Sequence, residues 1–229
     1  MSSLGGPNIV TSGLVLHLDA ANPKSYPGTG NTWYDRAANL NAGVANNGTL
    51  VNEPTFDSGN GGSIVFDGTN DYVTLIATPS TLGMISGNFT VNIWIYNNGT
   101  TKGGLVSSQS SSSAGGQYEF SINSVNSVKV TYYGGGSVNT SIVSNTWYML
   151  THTYNYSTKS SKLYKNGLLV SSITMTVDLF TTGQIYIGWY GYGGGYFRGN
   201  IPIVQIYKGE LSATEVLQNY NATKSRYGL

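Results

Sequence analysis

The sequence predicts an all-β protein, a sandwich of two antiparallel sheets with one C-terminal helix, and three observations predict it. Apolar residues recur at every second position in Leu14-Val15-Leu16-His17-Leu18-Asp19 and again in Phe89-Thr90-Val91-Asn92-Ile93-Trp94-Ile95-Tyr96, the period of a strand with one face in a core. Gly, Asn, Asp and Ser clusters, the residues that turn a chain, separate such runs along the whole length. A helix start is written near the end, where Ser212 with Glu215 forms a capping box and Leu211 with Val216 is spaced as a hydrophobic staple.

In order, residues 1–12 read as a flexible arm and residues 13–229 as one domain. The first strand puts Leu14, Leu16 and Leu18 on one face and His17 on the other, where an isolated histidine is read as structural. Ala20 to Thr32 is a Pro/Gly/Asn loop packed down by Trp33-Tyr34-Asp35-Arg36. Ile64, Phe66, Tyr72 and Val73 flank Asp67-Gly68-Thr69-Asn70-Asp71, and the turn chemistry predicts a hairpin there. Phe89–Tyr96 is a core strand, and Ser107 to Gly116 is too polar for anything but an exposed loop. Tyr118–Ile122 pairs with Val128–Tyr133, and Gly134-Gly135-Gly136 breaks the second strand. Trp147–Tyr154 leads into a hairpin at Asn166-Gly167, a dipeptide suited to the two positive φ angles of a type I′ turn. Gln184–Tyr190 and Arg198–Lys208 are strands around an aromatic, glycine-rich loop, with Pro202 marking an edge or bulge; the helix over Ser212–Tyr227 closes the chain.

The order of several motifs carries a family resemblance. Gly13-Leu14-Val15-Leu16-His17-Leu18-Asp19-Ala20, then Trp33-Tyr34-Asp35, Asn47-Gly48-Thr49-Leu50, Phe66-Asp67-Gly68, Asp71-Tyr72-Val73, Tyr164-Lys165-Asn166-Gly167 and Leu211-Ser212-Ala213-Thr214-Glu215 follow one another. In this order they resemble the laminin-G-like branch of the concanavalin A-like lectin/glucanase superfamily, of the kind found in phage structural proteins. The resemblance spans roughly Gly13 to Tyr227 and implies a jelly-roll sandwich.

Composition narrows the function classes. Charged residues make up only 9% of the 229, with 18 Tyr and many Gly, Ser, Thr and Asn in their place. Eleven basic and ten acidic side chains nearly cancel, and no Lys/Arg cluster tracks a phosphate backbone, so neither nucleic acid nor membrane is an expected partner. Weak charge repulsion favours self-association. With no cysteine there is neither a disulfide nor thiolate chemistry. Met1 to Pro7 lacks the pattern of a secretory signal, so synthesis in the cytosol is expected, with an extracellular place reached by assembly or lysis.

The resemblance includes glucanases, which need a pair of carboxylates on one strand face, and no strand here carries the Glu-x-Asp-x-x-Glu pattern. A non-enzyme without cofactor is expected. Asp67 and Asp71 are two carboxylates where calcium needs six to eight oxygens, so they are read as Asx-turn residues and no metal is assigned. Trp189-Tyr190-Gly191-Tyr192-Gly193-Gly194-Gly195-Tyr196-Phe197 is the candidate contact loop, since aromatic faces stack on the C–H faces of sugars and glycines allow close approach. Trp189, Tyr190, Tyr192 and Tyr196 are the expected ligand contacts, with Tyr132 and Tyr133 as a second wall. Tyrosines at an interface more commonly make protein contacts, so a protein partner is the other expectation for this loop. The expected function is a non-catalytic structural or adhesive protein of a virion exterior, a capsid decoration or fibre-associated subunit that meets other virion proteins, copies of itself or a glycan. The alternative is a soluble lectin or carbohydrate-binding module.

Overall fold

Period-two alternation becomes two antiparallel sheets face to face in the computed structural model, which describes residues 7–37, 45–108, 117–132, 134–179, 183–191 and 195–229. In chain order the strands are β1 Leu14–Asp19, β2 Thr32–Trp33, β3 Gly48–Val51, β4 Thr55–Asp57, β5 Ser63–Asp67, β6 Tyr72–Leu75, β7 Phe89–Asn97, β8 Gly103–Ser108 and β9 Tyr118–Ser124. They continue as β10 Ser127–Tyr132, β11 Gly136–Ser141, β12 Trp147–Asn155, β13 Ser160–Lys165, β14 Leu168–Thr174, β15 Ile185–Ile187, β16 Arg198–Ile201 and β17 Ile203–Lys208. Helix α1, Ala213–Thr223, runs into a 3-10 turn over Lys224–Tyr227. The first sheet is ordered β14-β13-β12-β7-β16-β5-β4, with β17 also on β7 and β1 on β17; the second is β11-β10-β9-β8-β15-β6-β3-β2.

The core between the sheets is built from the inward phase of each strand. Leu16 and Leu18 of β1, Phe89, Val91, Ile93 and Ile95 of β7 and Phe120 and Ile122 of β9 all lie in it, fully buried. A second, smaller core covers the outer side of the first sheet. There α1 and the 3-10 turn bury Trp94, Met149, Tyr207 and Val216, the Trp94 indole donates to Thr223 Oγ1 at 2.9 Å, and its ring meets Tyr227 at 4.2 Å between centroids. The capping box forms as expected, with the Ser212 and Glu215 side chains each bonded to the other's backbone N–H, an arrangement worth about 1 kcal/mol. Arg226 closes the chain end by donating to both carboxylate oxygens of Asp19, at 3.0 and 3.1 Å.

Four expectations change. The Asp67–Asp71 link is a corner between sheets, not a hairpin: β5 pairs with β4 and β16 in the first sheet, β6 with β3 and β15 in the second. Its local chemistry is as read, since Asp67 Oδ1 accepts from Thr69 N at 2.7 Å and Asp71 Oδ2 from Asp67 N at 3.0 Å. Phe66 and Val73 are both inward residues, and an arch that brings them together from opposite sheets buries both. Within the segment read as an arm, Val10 is buried, its N–H donates to Asn219 Oδ1 at 2.8 Å and its carbonyl accepts from Tyr207 Oη at 3.2 Å. Arg198–Lys208 divides at Pro202 into β16 and β17, both on β7. In the tract read as an exposed loop, Ser107 and Ser108 are buried in β8, and 109–116 lie outside the described residues.

Candidate functional site

Four aromatic rings gather on the outer face of the second sheet. In β6 the alternation puts Val73 and Leu75 inward and leaves Tyr72 half-buried on the other face; in β15 Ile185 and Ile187 point inward and Tyr186 outward. The rings of Tyr72 and Tyr186 meet edge-on at 6.0 Å. After Ile187 the chain kinks at Gly188, where φ is 85° and a Cβ would lie 2.5 Å from the Phe66 ring, so glycine is required. The kink delivers Trp189 to the same outer face, 4.8 Å from Tyr186 and 5.0 Å from Tyr72 between centroids. Tyr196 returns as the bridge partner of Trp189 and stacks on it, ring planes 7° apart and centroids 5.7 Å apart. Tyr72, Tyr186, Trp189 and Tyr196 are all half-buried.

The loop lies directly on the backbone of β8. A Cβ at Gly195 would come within 2.1 Å of the Lys102 carbonyl and one at Gly104 within 2.3 Å of the Trp189 carbonyl carbon. Gly104 N–H donates to Gly195 O at 3.3 Å and Ser107 Oγ to Trp189 O at 2.6 Å. The glycines therefore hold the two limbs of the loop close enough for Trp189 and Tyr196 to stack.

Of the expected site residues, Trp189 and Tyr196 are brought together on this face. Tyr190 is corrected: it is only 5% exposed, with its hydroxyl at Ser121 and Glu119 and its pKa raised by burial, and Lys102 Nζ lies 5.4 Å from its ring centroid. Tyr132 is corrected more strongly, being fully buried in the core between the sheets, 5.0 Å from Tyr154 and 5.9 Å from Tyr118; a ligand cannot reach it. Tyr133 and Tyr192 lie outside the described residues. Tyr72 and Tyr186 were missed, although each is an aromatic at the outward position of a strand whose neighbours point inward.

Beside Tyr196 opens a cleft of about 380 Å³ lined also by Asp67, Thr101, Lys102 and Arg198. The Arg198 backbone is clamped there by Thr100, whose Oγ1 accepts from Arg198 N at 2.8 Å and donates to Arg198 O at 2.9 Å. Backbone N–H donors, Thr69 first, hold the Asp67 carboxyl below the usual carboxylate range.

Residues 67–217 match the family model of the concanavalin A-like lectin/glucanases superfamily, laminin G type. No curated protein matches the sequence. Among solved structures, one on botulinum neurotoxin type C, whose cell entry depends upon interaction with two ganglioside molecules, is 16% identical with a TM-score of 0.68 over 92% of this chain and 51% of that one. The binding domain of botulinum neurotoxin DC in complex with SialylT is 13% identical, TM-score 0.68, over 93% of this chain and 52% of that one. A Trypanosoma rangeli sialidase in complex with the inhibitor DANA is 13% identical, TM-score 0.65, over 95% of this chain and 34% of that one. The chain thus spans about half the length of the toxin domains it matches, and at these identities the likeness is one of fold. With its two sheets, its C-terminal helix and a family match over residues 67–217, the chain belongs to the concanavalin A-like lectin/glucanase superfamily, as a laminin G-like domain.

Proposed function

We propose that this protein is a non-catalytic adhesive module that binds carbohydrate on the outer face of the second sheet. The observation that carries the reading is the cluster of Tyr72, Tyr186, Trp189 and Tyr196, four half-buried rings that touch one another. Such rings present large, rigid apolar faces with polar rims, the chemistry that meets the C–H face of a sugar. The superfamily and its toxin neighbours, one studied with gangliosides and one with SialylT, support the same reading. For a non-catalytic role the support is electrostatic. Asp67 and Asp71 accept backbone N–H groups, and Glu119 accepts from Ser121 and pairs with Lys129 at 3.8 Å.

The setting we propose is a virion exterior, with other virion proteins or further copies of the chain as partners. The near-neutral, Tyr-rich composition supports it, as does Leu168-Leu169-Val170 on the edge strand β14, exposed by 65, 52 and 40%. A glycan array probed with the intact protein and with Tyr72→Ala tests the binding reading: retention of a saccharide class that the variant loses is expected, and no retention of any saccharide contradicts it. Sedimentation of the native source tests the setting. Protein that travels with particles supports a virion subunit, whereas free protein held on a sugar column supports a soluble lectin.

A further inference from the structure

The cleft beside Tyr196 has a charge pattern that the aromatic face lacks. Two cations line it, Lys102 and Arg198, in a chain with only 11 basic side chains. Among the described residues neither forms a salt bridge, while Lys129, Lys159, Lys162 and Arg226 each pair with a carboxylate. Both stand on held backbone. Arg198 is fixed at its backbone by the Thr100 hydroxyl and by Asn98 N–H, which donates to its carbonyl at 3.0 Å. Lys102 has its ammonium over the buried Tyr190 ring, and its carbonyl lies against Gly195. The third charge, Asp67, already accepts two backbone N–H groups of its own turn on Oδ1. Two cationic residues and one acidic residue line the cleft, a net positive lining with a carboxylate that can accept a hydrogen bond from a hydroxyl beside them.

We propose that this cleft selects an acidic saccharide, a sugar whose ring stacks at Tyr196 while its carboxylate lies on Arg198 and Lys102 and a neighbouring hydroxyl donates to Asp67. A planar guanidinium matches a carboxylate with two parallel N–H donors, and charge-assisted bonds of this kind are about twice as strong as neutral ones. The cleft volume, about 380 Å³, falls within the range of small-ligand sites, about 300–1,000 Å³. Tyr196 joins cleft and aromatic face, so one oligosaccharide can lie across both. This inference rests on the carbohydrate-binding reading above and adds to it a preference for charge.

Calorimetric titration of the intact protein with oligosaccharides of galacturonic, glucuronic and mannuronic acid, each beside its methyl ester, tests it. The ester keeps the ring and removes the charge. At least one acid should bind about tenfold tighter than its ester, and the preference should shrink as salt rises. Arg198→Gln and Lys102→Gln should each erase it with the melting temperature unchanged, and Arg198→Lys should restore part of it. Equal binding of acid and ester in all three pairs overturns the proposal and leaves carbohydrate binding standing, as does an acid preference untouched by Arg198→Gln. If neutral glycans bind and none of these six probes does, the proposal also falls. Absence of binding to any saccharide, on the array and in titration, removes both readings together.

Discussion

Trp189 and Tyr196 stack with their ring planes 7° apart, across a loop whose two limbs are joined at these residues by an antiparallel bridge. The pair forms because glycines let the limbs lie on β8. Gly195 is the tightest point, 2.1 Å from the Lys102 carbonyl to where a Cβ would sit. Gly195→Ala should therefore lower stability by about 1–3 kcal/mol, as overpacking does, and weaken saccharide binding by moving Tyr196. Gly134→Ala makes the comparison, since no described residue lies within 4 Å of its Cβ position and its cost arises from a φ of 81°. Thermal melting of the two variants beside saccharide titration separates a backbone cost from a site effect.

Tyr132 belongs to the core, and among the described residues its hydroxyl has no hydrogen-bond partner. Removal of a buried hydroxyl that bonds nothing relieves a desolvation cost of about 1–3 kcal/mol. Tyr132→Phe should leave the melting temperature unchanged or raise it, whereas Tyr132→Ala should cost about 3–5 kcal/mol by opening a cavity. Saccharide binding by the Phe variant should match that of the parent; a loss would return Tyr132 to the site.

His152 is buried among Phe89, Tyr118, Phe120 and Tyr132, bonded through Nδ1 to Tyr118 Oη at 3.2 Å and through Nε2 to Ser161 Oγ at 2.9 Å. Burial pushes its pKa down to about 3 from an ordinary value of 6.5. The unfolded chain takes up this proton near pH 6.5 and the folded one only near pH 3. Stability is therefore fully present above about pH 6.5 and falls as pH drops through that window, by about 1.4 kcal/mol per unit. Denaturant melts at pH 7, 6, 5 and 4 should show this slope, and His152→Gln should flatten it. A slope identical in the two proteins would contradict the assignment.

Strand identity was legible wherever one face is apolar. Leu16 and Leu18, Phe89 to Ile95, and the Ser212–Glu215 cap all stand where their periods and spacings put them, because those signals are local. Which sheet a strand joins is not local. Asp67 to Asp71 announced a reversal, and its Asx chemistry is the same whether the chain returns beside itself or crosses to the opposite sheet. The site was half legible. A glycine-rich aromatic loop pointed to Trp189 and Tyr196, but Tyr132 was misplaced although Val128 and Val130, on its own strand phase, already put it inside. The same alternation, applied to Tyr-Val-Thr-Leu at 72–75 and Ile-Tyr-Ile at 185–187, brings Tyr72 and Tyr186 outward. What no local pattern contained was that β6, β15 and the loop would bring these rings into contact.

The most direct test of carbohydrate binding at the aromatic face is the indole N–H spectrum of the intact protein during titration with the best-retained saccharide. The chain has four tryptophans. Trp33 and Trp94 are fully buried, and Trp147 packs against Tyr227 at 4.6 Å. The Trp189 resonance, assigned by its loss in Trp189→Phe, is expected to shift progressively to saturation while those of Trp33 and Trp94 stay in place. A saccharide that reaches saturation without moving the Trp189 signal would contradict it.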